Sequence, residues 1–145
     1  MNRRLRVAAE LSSLPEIHRF AIESAEAAGL EEIAAYRLRL SVEELTTNVI
    51  EHGGESPLSK PAASIELFSE INDESLRLQI VDDGPPFDPT QNPPPDDMHL
   101  PAEQRQIGGL GVFLAIDGVD EFHYVFSGGR NCVTLVIHRP PPMPS

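Results

Sequence analysis

Between residues 31 and 53 the chain places Ala35, Leu38, Val42, Leu45 and Val49 at alternating spacings of three and four. That pattern predicts one long helix with a continuous apolar seam, which needs a second layer to bury it. Strands that can supply the layer follow at once. Ile65, Leu67 and Ile71 mark one face of the first, and Asn72-Asp73-Glu74 reads as a hairpin turn. Leu76, Leu78 and Ile80 share a face of the second, with Arg77 and Gln79 opposite. Two closing strands are expected near Glu121–Phe126 and Asn131–Arg139, joined at Ser127-Gly128-Gly129-Arg130.

Upstream, Leu5 to Leu11 reads as a first strand. Ser13-Leu-Pro-Glu16 reads as a capping box with proline in the first turn of a helix that Gly29 stops. Ile17, Phe20, Ala21 and Ala25 give that helix its core stripe. A short helix is expected from Gly109 to about Ile116. Hairpin-sized joints between paired strands imply an α+β two-layer sandwich, with a mixed, mostly antiparallel sheet and helices on one face. No repeat or internal boundary divides the chain, so residues 1–145 are expected to form a single domain with 140–145 a frayed tail.

A domain of 145 residues buries roughly two thirds of the surface its unfolded chain exposes. Its net charge of −12, with only 11 Lys and Arg, argues against nucleic acid and anionic membrane surfaces. A basic patch on a protein partner fits that charge better. Cys132 is the only cysteine, which excludes an internal disulfide and a cysteine-based zinc site. Glu10 interrupts the apolar run a signal peptide would need, and no stretch approaches the roughly 20 apolar residues of a membrane span. The default expectation is a cytoplasmic protein.

Chemistry concentrates in three segments. Asp82 continues the alternation of Leu76, Leu78 and Ile80, so its carboxylate is expected on the buried face. A buried carboxylate needs a donor, and an adenine amino group is one. Taken alone, Asp82-Asp83-Gly84 reads first as an acidic turn, but a turn aspartate has no reason to extend a buried stripe. Glu44 and Asn48 stand one helical turn apart beside the seam. Asn48 offers an amide oxygen suited to Mg²⁺, and Glu44 could accept a proton from a hydroxyl; a solvated polar flank is the simpler account of that pair alone. Gly108-Gly109-Leu110-Gly111 opens the short helix, where backbone amides can meet phosphate. Neither a Walker A loop nor a dinucleotide fingerprint is present, and a glycine-rich hinge is the plainer alternative.

Three stretches together, Leu40–Gly53 with its Glu-Glu-Leu-Thr-Thr-Asn core, Val81-Asp-Asp-Gly-Pro-Pro-Phe-Asp-Pro89, and Ile107-Gly-Gly-Leu-Gly-Val-Phe-Leu114, resemble the GHKL (histidine-kinase-like) ATPases. Within that superfamily they resemble specifically the small anti-sigma-factor serine/threonine kinases of bacterial partner-switching systems. Asn131-Cys-Val-Thr-Leu135 also looks like that group's last strand. The resemblance implies a Bergerat-type ATP-binding fold, ATP and Mg²⁺ as cofactors, and a lid over about 88–107. It implies that Asn48 holds Mg²⁺, Glu44 is the catalytic base, and Asp82 binds adenine with Gly84 in the turn beneath the base. Gly109 and Gly111 would face the phosphates, with Gly108 as hinge. Thr134 would support the adenine-binding network, and Arg105 would meet the terminal phosphate.

Two departures stand out. Pro86 replaces the second glycine of the D-x-G-x-G pattern, and Ala115-Ile-Asp117-Gly118 shortens a helix that usually continues with basic residues. The implied activity is phosphorylation of a STAS-domain antagonist, with a sigma factor or a phosphatase as alternative partner and a homodimer possible. A non-catalytic ATP-binding module that sequesters a sigma factor or a phosphatase is the alternative. A free-standing histidine-kinase ATP domain fits less well, since no phosphoacceptor helices precede it in this sequence.

Overall fold

A computed structural model describes residues 2–52, 62–91 and 115–140. The elements are β1 (Asn2–Ala8), α1 (Leu14–Ala27), α2 (Glu32–His52), β2 (Ser64–Ile71), β3 (Ser75–Asp82), β4 (Glu121–Ser127) and β5 (Arg130–His138). The strands form one sheet in the order β1-β2-β3-β5-β4. Every pairing among the described residues is antiparallel, so the mixed sheet expected from sequence is a wholly antiparallel one there.

Alternation fixes which side of the sheet is covered. Leu67, Ile80 and Val133 lie in one cross-strand row, and Leu78 faces Leu135 in another. All of them join Ile17, Phe20, Leu38, Val42 and Leu45 of the helices in a single core. Burying a side chain such as Leu38 or Ile17, both fully enclosed, is worth about 1.5–3 kcal/mol. Two hydroxyls inside this apolar layer are satisfied locally. Ser24 donates to the Phe20 carbonyl at 2.7 Å and Thr46 to that of Val42 at 2.7 Å, each one turn back along its own helix.

The helix ends differ from one another. Gly29 adopts φ 67°, which lets the Leu30 and Gly29 amides return to the Ala25 and Glu26 carbonyls and close α1 in a Schellman motif. At the other end the expected capping box does not form. Ser13 is itself helical (φ −85°, ψ −13°) and makes no side-chain cap bond, because a single 3₁₀ turn over Leu11–Ser13 leads straight into α1.

The first strand also lies earlier than Leu5–Leu11, at Asn2–Ala8. Its alternation is masked by arginine. Arg3 shares the inward face of Leu5 and Val7, with its guanidinium 5.5 Å from the centre of the Phe20 ring and paired to Glu23. An arginine stem can cover apolar surface in this way while its charged head stays at the rim.

Both hairpins follow the expected turn chemistry. The Asn72 side chain accepts from the Glu74 and Ser75 amides, both at 2.8 Å. Gly128 and Gly129 take φ 60° and 75°, which suits a two-residue β4–β5 turn. Finally, Ser41 of α2 donates to the Ala115 carbonyl at 2.8 Å, fastening the start of the last described segment to the long helix.

Candidate functional site

Asp82 ends β3 on the helix-covered face and is only 7% exposed. Its Oδ1 accepts from the Gly84 amide at 2.9 Å and from the Asn131 side-chain amide at 3.1 Å. No donor to its other oxygen is found among the described residues. Burial is the largest influence on this carboxyl and raises it above its ordinary value of 3.8; the two hydrogen bonds pull the other way, and the Asp83 charge adds to the rise.

Gly84 is packed tightly against this group. A Cβ added there would stand 3.0 Å from the Asp82 Oδ1 and 3.2 Å from the Ala62 Cβ. A side chain would have to push apart the carboxylate that the turn supports.

Asp83, one residue on, has a different task. Burial pushes it upward, but hydrogen bonds from the Ser64 and Ala63 amides outweigh that and leave the carboxyl below its ordinary value. The bonds, 3.1 and 2.8 Å, tie the end of β3 to the start of β2.

Asn131 is the residue that sequence reasoning missed. It lies opposite Asp82 in register and is 4% exposed. Its Nδ2 donates to the Asp82 carboxylate, to the Pro85 carbonyl at 2.8 Å and to that of Gly84 at 3.4 Å. Its Oδ1 accepts from the Phe87 amide at 3.0 Å and from the Tyr124 hydroxyl at 2.5 Å.

The role expected of Thr134 is corrected by the same geometry. Thr134 pairs with Gln79 and His123 on the opposite face of the sheet, and its hydroxyl accepts from Gln79 at 3.3 Å. Strand period two places 131, 133 and 135 together and turns 134 away. Counting back from the buried Val133 and Leu135 would have found Asn131.

Glu44 and Asn48 are half-buried on α2, flanking Leu45 and Val49. Leu45 is in the core with Ile80 and Val133, and Val49 packs against that core. Neither polar side chain has a hydrogen bond among the described residues. Burial, followed by the charges of Glu43 and Glu51, raises the Glu44 carboxyl above 4.5. An unengaged amide oxygen on Asn48 suits a hard cation such as Mg²⁺. No group of three His, Cys, Asp or Glu among the described residues could hold a metal unaided, so a cation here would need phosphate oxygens and water to complete its shell.

Arg105, Gly108, Gly109 and Gly111 lie outside the described residues, as does most of the short helix expected from Gly109 to Ile116. Of the expected lid, 88–107, only Asp88 to Gln91 are described; they include a 3₁₀ turn over Pro89–Gln91. Among the described residues no helix is long and apolar enough to cross a membrane.

The fold matches a solved structure at low sequence identity. The RsbU and RsbW domains of Rv1364c from Mycobacterium tuberculosis align with a TM-score of 0.64 at 15% identity, over 97% of this chain and 33% of that one. The chain thus spans about a third of that protein's structure, and the likeness is one of fold. The Acinetobacter baumannii histidine kinase AdeS aligns at 18% identity over 94% of this chain and 68% of that chain, with a TM-score of 0.48. No curated protein matches the sequence. A family profile described as the histidine kinase-like ATPase domain matches residues 7–137, nearly the whole chain, and the chain therefore belongs to the histidine kinase-like ATPase family.

Proposed function

We propose that this chain is an ATP- and Mg²⁺-dependent serine/threonine protein kinase and anti-sigma regulator, acting in the cytoplasm on a small STAS-domain antagonist in a partner-switching system. The reading rests chiefly on Asp82. It is a buried carboxylate with one oxygen engaged by Gly84 and Asn131 and the other without a donor among the described residues. A purine 6-amino group supplies the missing donor. Family membership supports ATP as the nucleotide, and the fold shared with an RsbW domain supports the regulatory context.

The α2 residues take the other half of the task. Asn48 would hold Mg²⁺ through its amide oxygen, and the ion would neutralise charge on the phosphates. Glu44 is the base that accepts the proton of the attacking serine or threonine hydroxyl as its oxygen bonds to the γ-phosphorus and ADP leaves. Burial and the neighbouring Glu43 and Glu51 make its carboxylate more basic than an exposed one, which suits that role. Arg105 and the glycines at 108, 109 and 111 are assigned to the phosphates on the sequence resemblance alone.

The test is transfer of label from γ-labelled ATP, with Mg²⁺, to a STAS-domain antagonist encoded beside this chain. Glu44→Ala should lower the rate about 10²- to 10⁴-fold, the range for a lost general base, with ATP affinity nearly unchanged. Undiminished transfer by the variant removes Glu44 from the chemistry. Tight ATP binding with no transfer by the wild-type protein would leave a sequestering module instead.

A further inference from the structure

We propose that Tyr124 is a positioning residue for base selection: from the edge strand it fixes the Asn131 amide, so that Asp82 keeps one carboxylate oxygen for a purine 6-amino group. The inference rests on the nucleotide-binding reading above and adds a residue to which no role has so far been given.

The argument is one of hydrogen-bond polarity. An asparagine amide has one end that donates and one that accepts, and only its neighbours decide which end faces which way. On one side of Asn131 stand three acceptors, the Asp82 Oδ1 and the Gly84 and Pro85 carbonyls. On the other stand two donors, the Phe87 amide and the Tyr124 hydroxyl. A flipped amide would set its oxygen against three acceptors and its N–H groups against a backbone N–H. With the observed orientation, the Asp82 Oδ1 is saturated by Gly84 and Asn131, and its other oxygen has no donor among the described residues.

The two donors are not equivalent. Phe87 belongs to the turn after β3 and is 39% exposed, so its position depends on the turn it is meant to hold. Tyr124 is fixed by β4, where it pairs with Val133 on the covered face. Its hydroxyl therefore refers Asn131 to the sheet rather than to the loop. Burial, aided by the Asp88 and Asp82 charges, outweighs the Phe87 N–H and holds the phenol above its ordinary value of 10.0, so it remains a donor. A phenylalanine would fill the same space and lose only what the hydroxyl makes, its bond to Asn131 and its contact with the Phe87 N–H.

The experiment is calorimetric titration of the full chain with ADP and with IDP, whose 6-oxo base lacks the amino donor. In Tyr124→Phe, ADP affinity should fall about three- to tenfold, the worth of one hydrogen bond, with IDP affinity unchanged. The ADP preference then falls by the same factor. Equal losses for both nucleotides would show a merely structural role and overturn the proposal, as would no change in either. Asn131→Asp, which sets a second carboxylate against Asp82, provides an independent check: it should abolish the preference, and its retention would also overturn the proposal. Binding of neither nucleotide by the wild-type chain would instead remove the functional reading on which the inference rests. A wild type that binds ADP with an unaltered preference in both variants removes the inference alone.

Discussion

At the sheet end of the site, Asp82 and Asn131 share a hydrogen-bond network with Gly84, Pro85, Phe87 and Tyr124, whereas on α2 Glu44 and Asn48 have no hydrogen bond among the described residues. Exposure explains the contrast. Asp82 and Asn131 are 7% and 4% exposed, and polar groups so enclosed must find partners within the fold. The α2 pair is half-buried and open to hydration. One half of the proposed site is therefore set by folding, and the other is the half that the proposed function assigns to phosphate, cation and substrate.

Asp82→Asn tests the contrast most severely. Replacing the acceptor of a charge-assisted bond should cost about 1.5–3 kcal/mol of ADP affinity, read by calorimetry. Stability should move the other way. The Asp82 carboxyl is raised above 3.8, mainly by burial, so the native state holds its proton more tightly than the unfolded chain does. Its stabilising contribution is complete below that unfolded value and is lost as pH rises through the folded one. Denaturant midpoints of the asparagine variant should then lack this decline and match or exceed the wild type at neutral pH. An asparagine variant less stable than wild type at neutral pH would contradict the burial argument.

Asn131→Ala should come next, with stability lower by about 1–3 kcal/mol because the Pro85 carbonyl, the Phe87 amide and the Tyr124 hydroxyl all lose a partner. A thermal melt indistinguishable from wild type would show that the network is not a structural unit. The smallest effect on stability is expected at Asn48→Ala, within about 0.5 kcal/mol, since no hydrogen bond within the described fold is broken. Its signature is in binding: ATP affinity should fall with Mg²⁺ present and stay unchanged in excess chelator. A large stability loss at Asn48 would erase the distinction between the two halves.

The same contrast governs what could be read from the sequence. Asp82 was legible because a strand repeats every two residues, and an aspartate in phase with Leu78 and Ile80 has to point inward. The seam of α2 was legible for the corresponding helical reason. Asn131 obeys the strand rule as well, in phase with Val133 and Leu135, but the family resemblance drew attention to Thr134, one position out of phase. A shift of one residue along a strand exchanges the faces of the sheet. Tyr124 was not legible. Its importance comes from a contact across the β4–β5 pair and a hydroxyl direction that no local pattern encodes. Asp82 and Asp83 show the same limit, being identical in type and adjacent in sequence. Only the structure separates the enclosed carboxylate, which the proposed function turns toward adenine, from the one that ties β3 to β2.

The bond from Ser41 to the Ala115 carbonyl has a consequence beyond α2. Together with the hold of Asn131 on the Phe87 amide, it clamps the frame on either side of residues 92–114. Each clamp is one bond between a side chain of the described frame and a backbone group distant in sequence, so each end is held by the frame itself, whatever lies between.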